Sequence, residues 1–149
     1  MLSAVVSALH VLALALGLPA VFLRGRALRR PLDRDGLGRL FAADNVWGIA
    51  AGLWLATGLL RAFAGLEKGT AFYLASPLFW VKLGLFGLVV LLEIWPMVVF
   101  IAWRARLRRG DTPDTSAAPR LSLVNHVELA LVVVIAFVAA FMARGFGVR

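Results

Sequence analysis

Residues 80–96 read WVKLGLFGLVVLLEIWP, an apolar run interrupted by one lysine and one glutamate. They form the middle of a longer segment, Pro77–Trp103, that carries no other charge. That segment is long enough to cross a hydrocarbon core of about 30 Å as a helix. Lys82 and Glu93 stand eleven positions apart. At about 100° per residue this returns to within roughly 20° of one direction, so both side chains leave a single helix face. About 16 Å of helix axis separates them, and each therefore needs its own partner elsewhere in the molecule.

Three more segments of the same kind follow from the rows: Leu2–Leu23, Asp44–Ala64 and Leu121–Ala143. With 62% hydrophobic residues, a mean hydropathy of +0.89 and 16% charged residues, the chain is far more apolar than soluble domains, which are about 45–50% apolar. A helix in lipid satisfies its own backbone groups. The expected fold is therefore all-α, a four-helix transmembrane bundle forming a single transmembrane domain over residues 1–149. Its helices are expected at about 2–23, 44–64, 77–103 and 121–143, in a multi-pass membrane protein. The first segment lacks a basic leading region and is followed at once by arginines, so it is expected to stay as a helix rather than be cleaved as a signal peptide.

The net charge of +8 would suit nucleic acid, but the positions of the basic residues point elsewhere. Arg24, Arg26, Arg29, Arg30, Arg34 and Arg39 crowd the first connection, and Arg104, Arg106, Arg108, Arg109 and Arg120 the third. The second holds Lys68, with Arg61 just before it, and Arg144 and Arg149 follow the last segment. By the positive-inside rule, the first and third loops are expected in the cytoplasm and both termini outside. The expected partner of the basic loops is the lipid bilayer with its anionic headgroups, not nucleic acid. Arg109–Arg120, RGDTPDTSAAPR, has the composition of a mobile linker. The absence of cysteine excludes disulfides, thiolate metal sites and c-type haem attachment.

Trp80 and Trp103 are 23 residues apart, about 34 Å along a helix, which matches the two interfacial belts. Trp47 and Tyr73 are expected near opposite belts, and Trp54 in mid-membrane as a packing residue. Gly48 and Gly52, extended by Gly58, form a small-residue face that permits close helix approach.

Titratable residues in lipid are expensive and call for a depth and a partner. Counting along the helices puts His10 roughly 12 Å and Lys82 roughly 6–8 Å inside the outer boundary, where they can meet. Glu93 falls in the cytoplasmic half, at the depth of Asp44, His126 and Glu128, which together make a polar cluster or proton relay. The competing readings are structural: Lys82, Arg61 and Arg144 can snorkel to water, and Asp44 and Glu128 in first turns can cap their helices. Pro19 and Pro96 each free a carbonyl about one turn earlier. His10 and His126 enter from opposite sides, so their levels differ by about 15 Å and one iron cannot bridge them. His126 and Glu128 diverge by about 200° on a helix, which makes a poor metal site, and no metal is expected.

The segments LHVLALALG, DNVWGIAAGLWLATGLLRAF, EKGTAFYLASPLFWVKLGLFGLVVLLEIWP and ELALVVVIAFVAAFMARGFG together resemble a bacterial family of four-helix inner-membrane proteins of unknown function, domain of unknown function 2214. The resemblance spans nearly the whole chain and implies fold and topology but no chemistry. A shorter pattern, a histidine early in helix one with W-x-K-L in a later helix, is similar to HemJ-type protoporphyrinogen oxidases and CopD-like membrane domains; here it falls on His10, Trp80, Lys82 and Leu83. That similarity implies porphyrin or haem handling, with haem b or a porphyrin as cofactor and His10, Lys82 and Trp80 as its binding residues. Glu93 stands near the position where that pattern has a second histidine.

Three classes of function follow. One is tetrapyrrole-linked work, with His10 as axial ligand or proton acceptor and Lys82 pairing a propionate. Another is a proton-coupled transporter or small channel subunit, in a homo-oligomer, that uses Glu93 with Asp44 or His126. A third is a non-catalytic subunit of a membrane complex. The chain has no nucleophile–base pair or phosphate-binding glycine loop, which argues against soluble-type hydrolase or kinase chemistry.

Overall fold

The computed structural model describes residues 1–65 and 69–146; Lys68 and Arg149, named above, lie outside them. Among the described residues the chain forms helices and no strand: α1 (Leu2–Leu28), α2 (Arg34–Phe63), the short α3 (Thr70–Ala75), α4 (Pro77–Arg108) and α5 (Ala118–Ala143). The four long helices have 27, 30, 32 and 26 residues, about 39–48 Å at 1.5 Å per residue. All four are long and apolar enough to cross a membrane, as the composition requires.

The helices at the arginine-rich end run well past the expected boundaries. No proline stands between Leu23 and Leu28, Gly25 is tolerated within the helix, and arginine is a good helix former, so Arg24 and Arg26 belong to α1. Asp33 opens α2 by accepting a hydrogen bond from the Gly36 amide at 2.7 Å. This satisfies one of the four free donors of a helix start. Arg34 and Arg39 therefore also lie on a helix, and the first connection shrinks to residues 29–33. Two structural readings fall with this shift. Asp44 is ten residues beyond the start of α2 and Glu128 ten beyond the start of α5, so neither caps a first turn. Of the stretch 109–120, residues 109–117 connect α4 to α5 and the last three belong to α5. Gly110 takes φ +86° after α4, and the Ser116 amide donates to Asp114 at 2.9 Å. That bond holds the Asp114 carboxyl below the usual carboxylate range.

Helix α1 packs along α2 and against α5, and α4 packs against α5. Helices α2 and α4 meet chiefly through long side chains, such as the Trp54 and Phe86 rings at 5.6 Å. The interior is layered. At the arginine-rich end Leu28, Leu37, Leu40, Phe100, Trp103 and Leu121 form one core. Ala13, Ala20, Val21, Trp47, Trp54, Val89, Val132 and Ile135 form the central one. Ala62, Tyr73, Phe79 and Met142 close the opposite end.

The aromatic framing is corrected in part. Trp80 is outward-facing, 54% exposed, but Trp103 is 4% exposed and packs on Phe100 at 5.6 Å between ring centres, so it serves the core rather than a belt. Trp54 is a packing residue, as expected. Gly48 and Gly52 are exposed with nothing within 4 Å of a Cβ built on either, and so they mediate no helix contact within the chain. Close approach of α1 and α2 occurs instead at Gly17, where a Cβ would lie 3.3 Å from Ala50.

Candidate functional site

Two polar centres interrupt the apolar interior. The first is built on Arg24. Its neighbours on the buried face of α1 are small, Gly17, Ala20, Val21 and Gly25, which leaves room for a guanidinium to reach across the bundle. Nε donates to Asn125 at 2.7 Å on α5. Nη1 donates to Asp44 on α2 at 3.1 Å and to Glu93 on α4 at 2.7 Å. Nη2 donates to the second Glu93 oxygen at 2.9 Å and to Glu128 on α5. A guanidinium has five N–H groups, and here each has an acceptor. The side chain is fully buried and lies 5.9 Å from the centres of the Trp47 and Phe100 rings.

The surroundings complete the network. Trp47 Nε1 donates to Glu93 at 3.0 Å, and Arg104 donates to the free oxygen of Asp44 at 2.8 Å and to Asn45 at 2.9 Å. Asn125 uses its amide to donate to the Val21 carbonyl at 2.9 Å. Gly25 has no room for a side chain, since a Cβ there would lie 2.4 Å from the Asn125 amide nitrogen. Glu128 Oε1 is buried with no hydrogen-bond partner among the described residues. Two guanidiniums thus face three carboxyl groups, all four long helices contribute, and the carboxyls converge on a cation that the protein itself supplies.

Of the expected polar cluster, the structure brings Asp44, Glu93 and Glu128 together and leaves His126 apart. His126 Nδ1 donates to the Ser122 carbonyl one turn earlier, and its ring lines a groove with Arg29 and Thr115. Arg24, read from sequence as a residue of a lipid-facing basic loop, is the centre of the cluster. The signal that could have found it is its helical spacing, four after Ala20 and seven after Gly17, on the small-residue stripe of α1.

The second centre is a cavity of about 310 Å3 lined by all five helices. His10 and Lys82 both line it, and Arg61 and Tyr73 join them. Its walls are otherwise apolar and aromatic: Trp54, Phe72, Phe79, Phe86 and Ile135. His10 Nδ1 lies 2.9 Å from Thr57 Oγ1. The Thr57 hydroxyl hydrogen is directed to the Leu53 carbonyl at 2.6 Å, so the imidazole is the donor to Thr57 and a neutral ring carries its lone pair on Nε2. The His10 ring stands 5.9 Å from Trp54. Gly58 makes space for it, since a Cβ there would lie 3.2 Å from His10 Cε1. Trp80 does not belong to this centre: its indole donates to the Leu74 carbonyl at 3.1 Å on the exposed side of α4.

Four helices long and apolar enough to cross a membrane, around a buried ion network and a separate apolar cavity, define the class as a membrane protein with a small-molecule-sized chamber. The chain belongs to the family described as predicted membrane protein (DUF2214), whose model matches residues 2–147. It matches no curated protein and no solved structure.

Proposed function

We propose that this protein binds a carboxylated tetrapyrrole, haem b or a porphyrin, in the His10 cavity. We place it in a bacterial inner membrane with the arginine-rich end in the cytoplasm. The observation that carries the reading is that His10 and Lys82, on α1 and α4, line one apolar chamber. Its volume lies in the ordinary range for small-molecule sites, about 300–1,000 Å3. The donor set fits the ligand class. Lys82 and Arg61 suit carboxylate groups, the aromatic walls suit a flat apolar body, and no acidic side chain among the described residues lines the chamber. The Thr57 bond fixes the His10 tautomer with Nε2 as the basic atom, the arrangement an axial ligand or proton acceptor needs. Bound haem would supply one-electron exchange at its iron. The residues of the chain orient it, pair its charge and keep water out.

A transport function working through Glu93 draws less support, because both Glu93 oxygens already accept from Arg24 and one also from Trp47. The test is an absorption spectrum of the detergent-purified protein, oxidised and then dithionite-reduced, followed by titration of the apoprotein with protoporphyrin IX. The expected result is a Soret band, or porphyrin binding that quenches tryptophan fluorescence, weakened at least about tenfold by His10→Ala. Absence of both signals after haem is supplied during expression would overturn the proposal.

A further inference from the structure

Helices α1 and α2 form a groove of about 620 Å3 on the outer surface of the bundle, lined by none of the residues of the Arg24 network or the His10 cavity. Its length is apolar, and apart from Leu16 and Leu23 the side chains along it are short. Ala20 and Ala43 line its inner side, while Ala15, Pro19, Ala42 and Val46 are exposed along it. Side chains this short leave a channel between two packed helices, bordered by Leu16 and Leu23, in a region where the neighbouring positions Leu12, Phe22 and Ile49 project outward. One end of the groove is different. There Arg26 and Arg30 come from the end of α1 and Arg39 from α2. All three are exposed, and none has an acidic partner among the described residues. They contrast with Arg24 and Arg104, which lie in the same region and are paired to carboxylates.

An apolar channel in a membrane-facing surface, ending in three uncompensated guanidiniums, has the shape and charge of a phospholipid. The acyl chain fits along the small residues, and the phosphate fits the arginines, whose planar forks bind its oxygens in bidentate fashion. A zwitterionic headgroup would bring its own cation against them and lose part of that attraction. We propose that the α1–α2 groove is a specific site for an anionic phospholipid, held by Arg26, Arg30 and Arg39. The site does not depend on the tetrapyrrole reading.

Native mass spectrometry of the detergent-purified full chain, with equimolar dioleoylphosphatidylglycerol and dioleoylphosphatidylcholine, tests this. The expected result is retention of phosphatidylglycerol at least about tenfold over phosphatidylcholine, falling about fivefold for each arginine removed, since each basic residue near an anionic surface contributes about that factor. Arg39→Gln alone, and then the Arg26→Gln, Arg30→Gln, Arg39→Gln triple variant, supply the series. Should the triple variant fail to fold, Arg39→Gln and Ala43→Phe carry the test. Ala43→Phe fills the channel and is expected to reduce retention with all three arginines present. Equal retention of the two lipids, a preference unchanged in Arg39→Gln, or a dimer that Ala43→Phe breaks without any lipid preference would each overturn the proposal.

Discussion

Arg24 satisfies all five of its donors in the protein interior, and the three carboxyls around it depend on it for charge. Breaking a buried ion pair by removing one partner costs about 3–5 kcal/mol, because the other charge stays behind unpaired. Arg24→Gln strands Glu93 and Glu128 in the core and leaves Asp44 with Arg104 alone, so the thermal midpoint in detergent is expected to drop by that order, or the chain to fail to assemble. Glu128→Gln acts differently. Its amide oxygen still accepts from Arg24 Nη2, the atom replaced by nitrogen is one with no partner among the described residues, and the remaining charges balance as two guanidiniums against two carboxylates. The new amide hydrogens face no acceptor among those residues, so the expected loss is about 1–3 kcal/mol, below that of Arg24→Gln. Melting curves that ranked Glu128→Gln as the more damaging would show that the network is not organised around Arg24.

At the scale of elements, the turn between α1 and α2 rests on a glycine that cannot be replaced. A Cβ on Gly36 would lie 2.2 Å from the Pro31 carbonyl oxygen, a backbone atom, so Gly36→Ala must push apart the connection that Asp33 caps. A loss of about 1–3 kcal/mol is expected, in the range of overpacking. Gly38, one half-turn on and exposed, faces open space, with nothing within 4 Å of where a Cβ would stand. Gly38→Ala is therefore expected to stabilise by up to about 1 kcal/mol through helix propensity alone. Opposite signs for the two substitutions in the same helix, read by thermal unfolding in detergent, would confirm the geometry; equal destabilisation would contradict it.

For the whole molecule, the positive-inside rule predicts an orientation from where the arginines lie, and the chain offers a clean test because it has no cysteine. Ser116→Cys sits in the connection between α4 and α5, and Ala71→Cys on α3 at the other end; both positions are exposed. A membrane-impermeant maleimide applied to intact spheroplasts is expected to label Ala71→Cys at once and Ser116→Cys only after permeabilisation. The reverse pattern would invert the proposed topology. Separation of the two polar centres into different depths also gives distinct readouts: changes at His10 are expected to affect ligand spectra, and changes at Arg24 the midpoint of unfolding.

Membrane residence and the four spanning helices were legible in the sequence, because hydropathy and segment length act locally and lipid leaves a single helix few other ways to satisfy its backbone. So was the separation of Lys82 and Glu93 along one helix, and with it the grouping of Asp44, Glu93 and Glu128, since helical rise alone sets a residue's level in the bundle. Tertiary structure decided the rest. Arg24 looked like one more arginine of a basic loop, and only the packing of α1 against its neighbours showed that it faces inward and answers Glu93. The same packing drew His126 away to the Ser122 carbonyl and left Trp80 outside the chamber that His10 and Lys82 share. Level along the membrane is a property of one helix, while the direction a side chain faces at that level depends on how several helices are rotated against one another, and that rotation is settled by the three-dimensional fit of their surfaces.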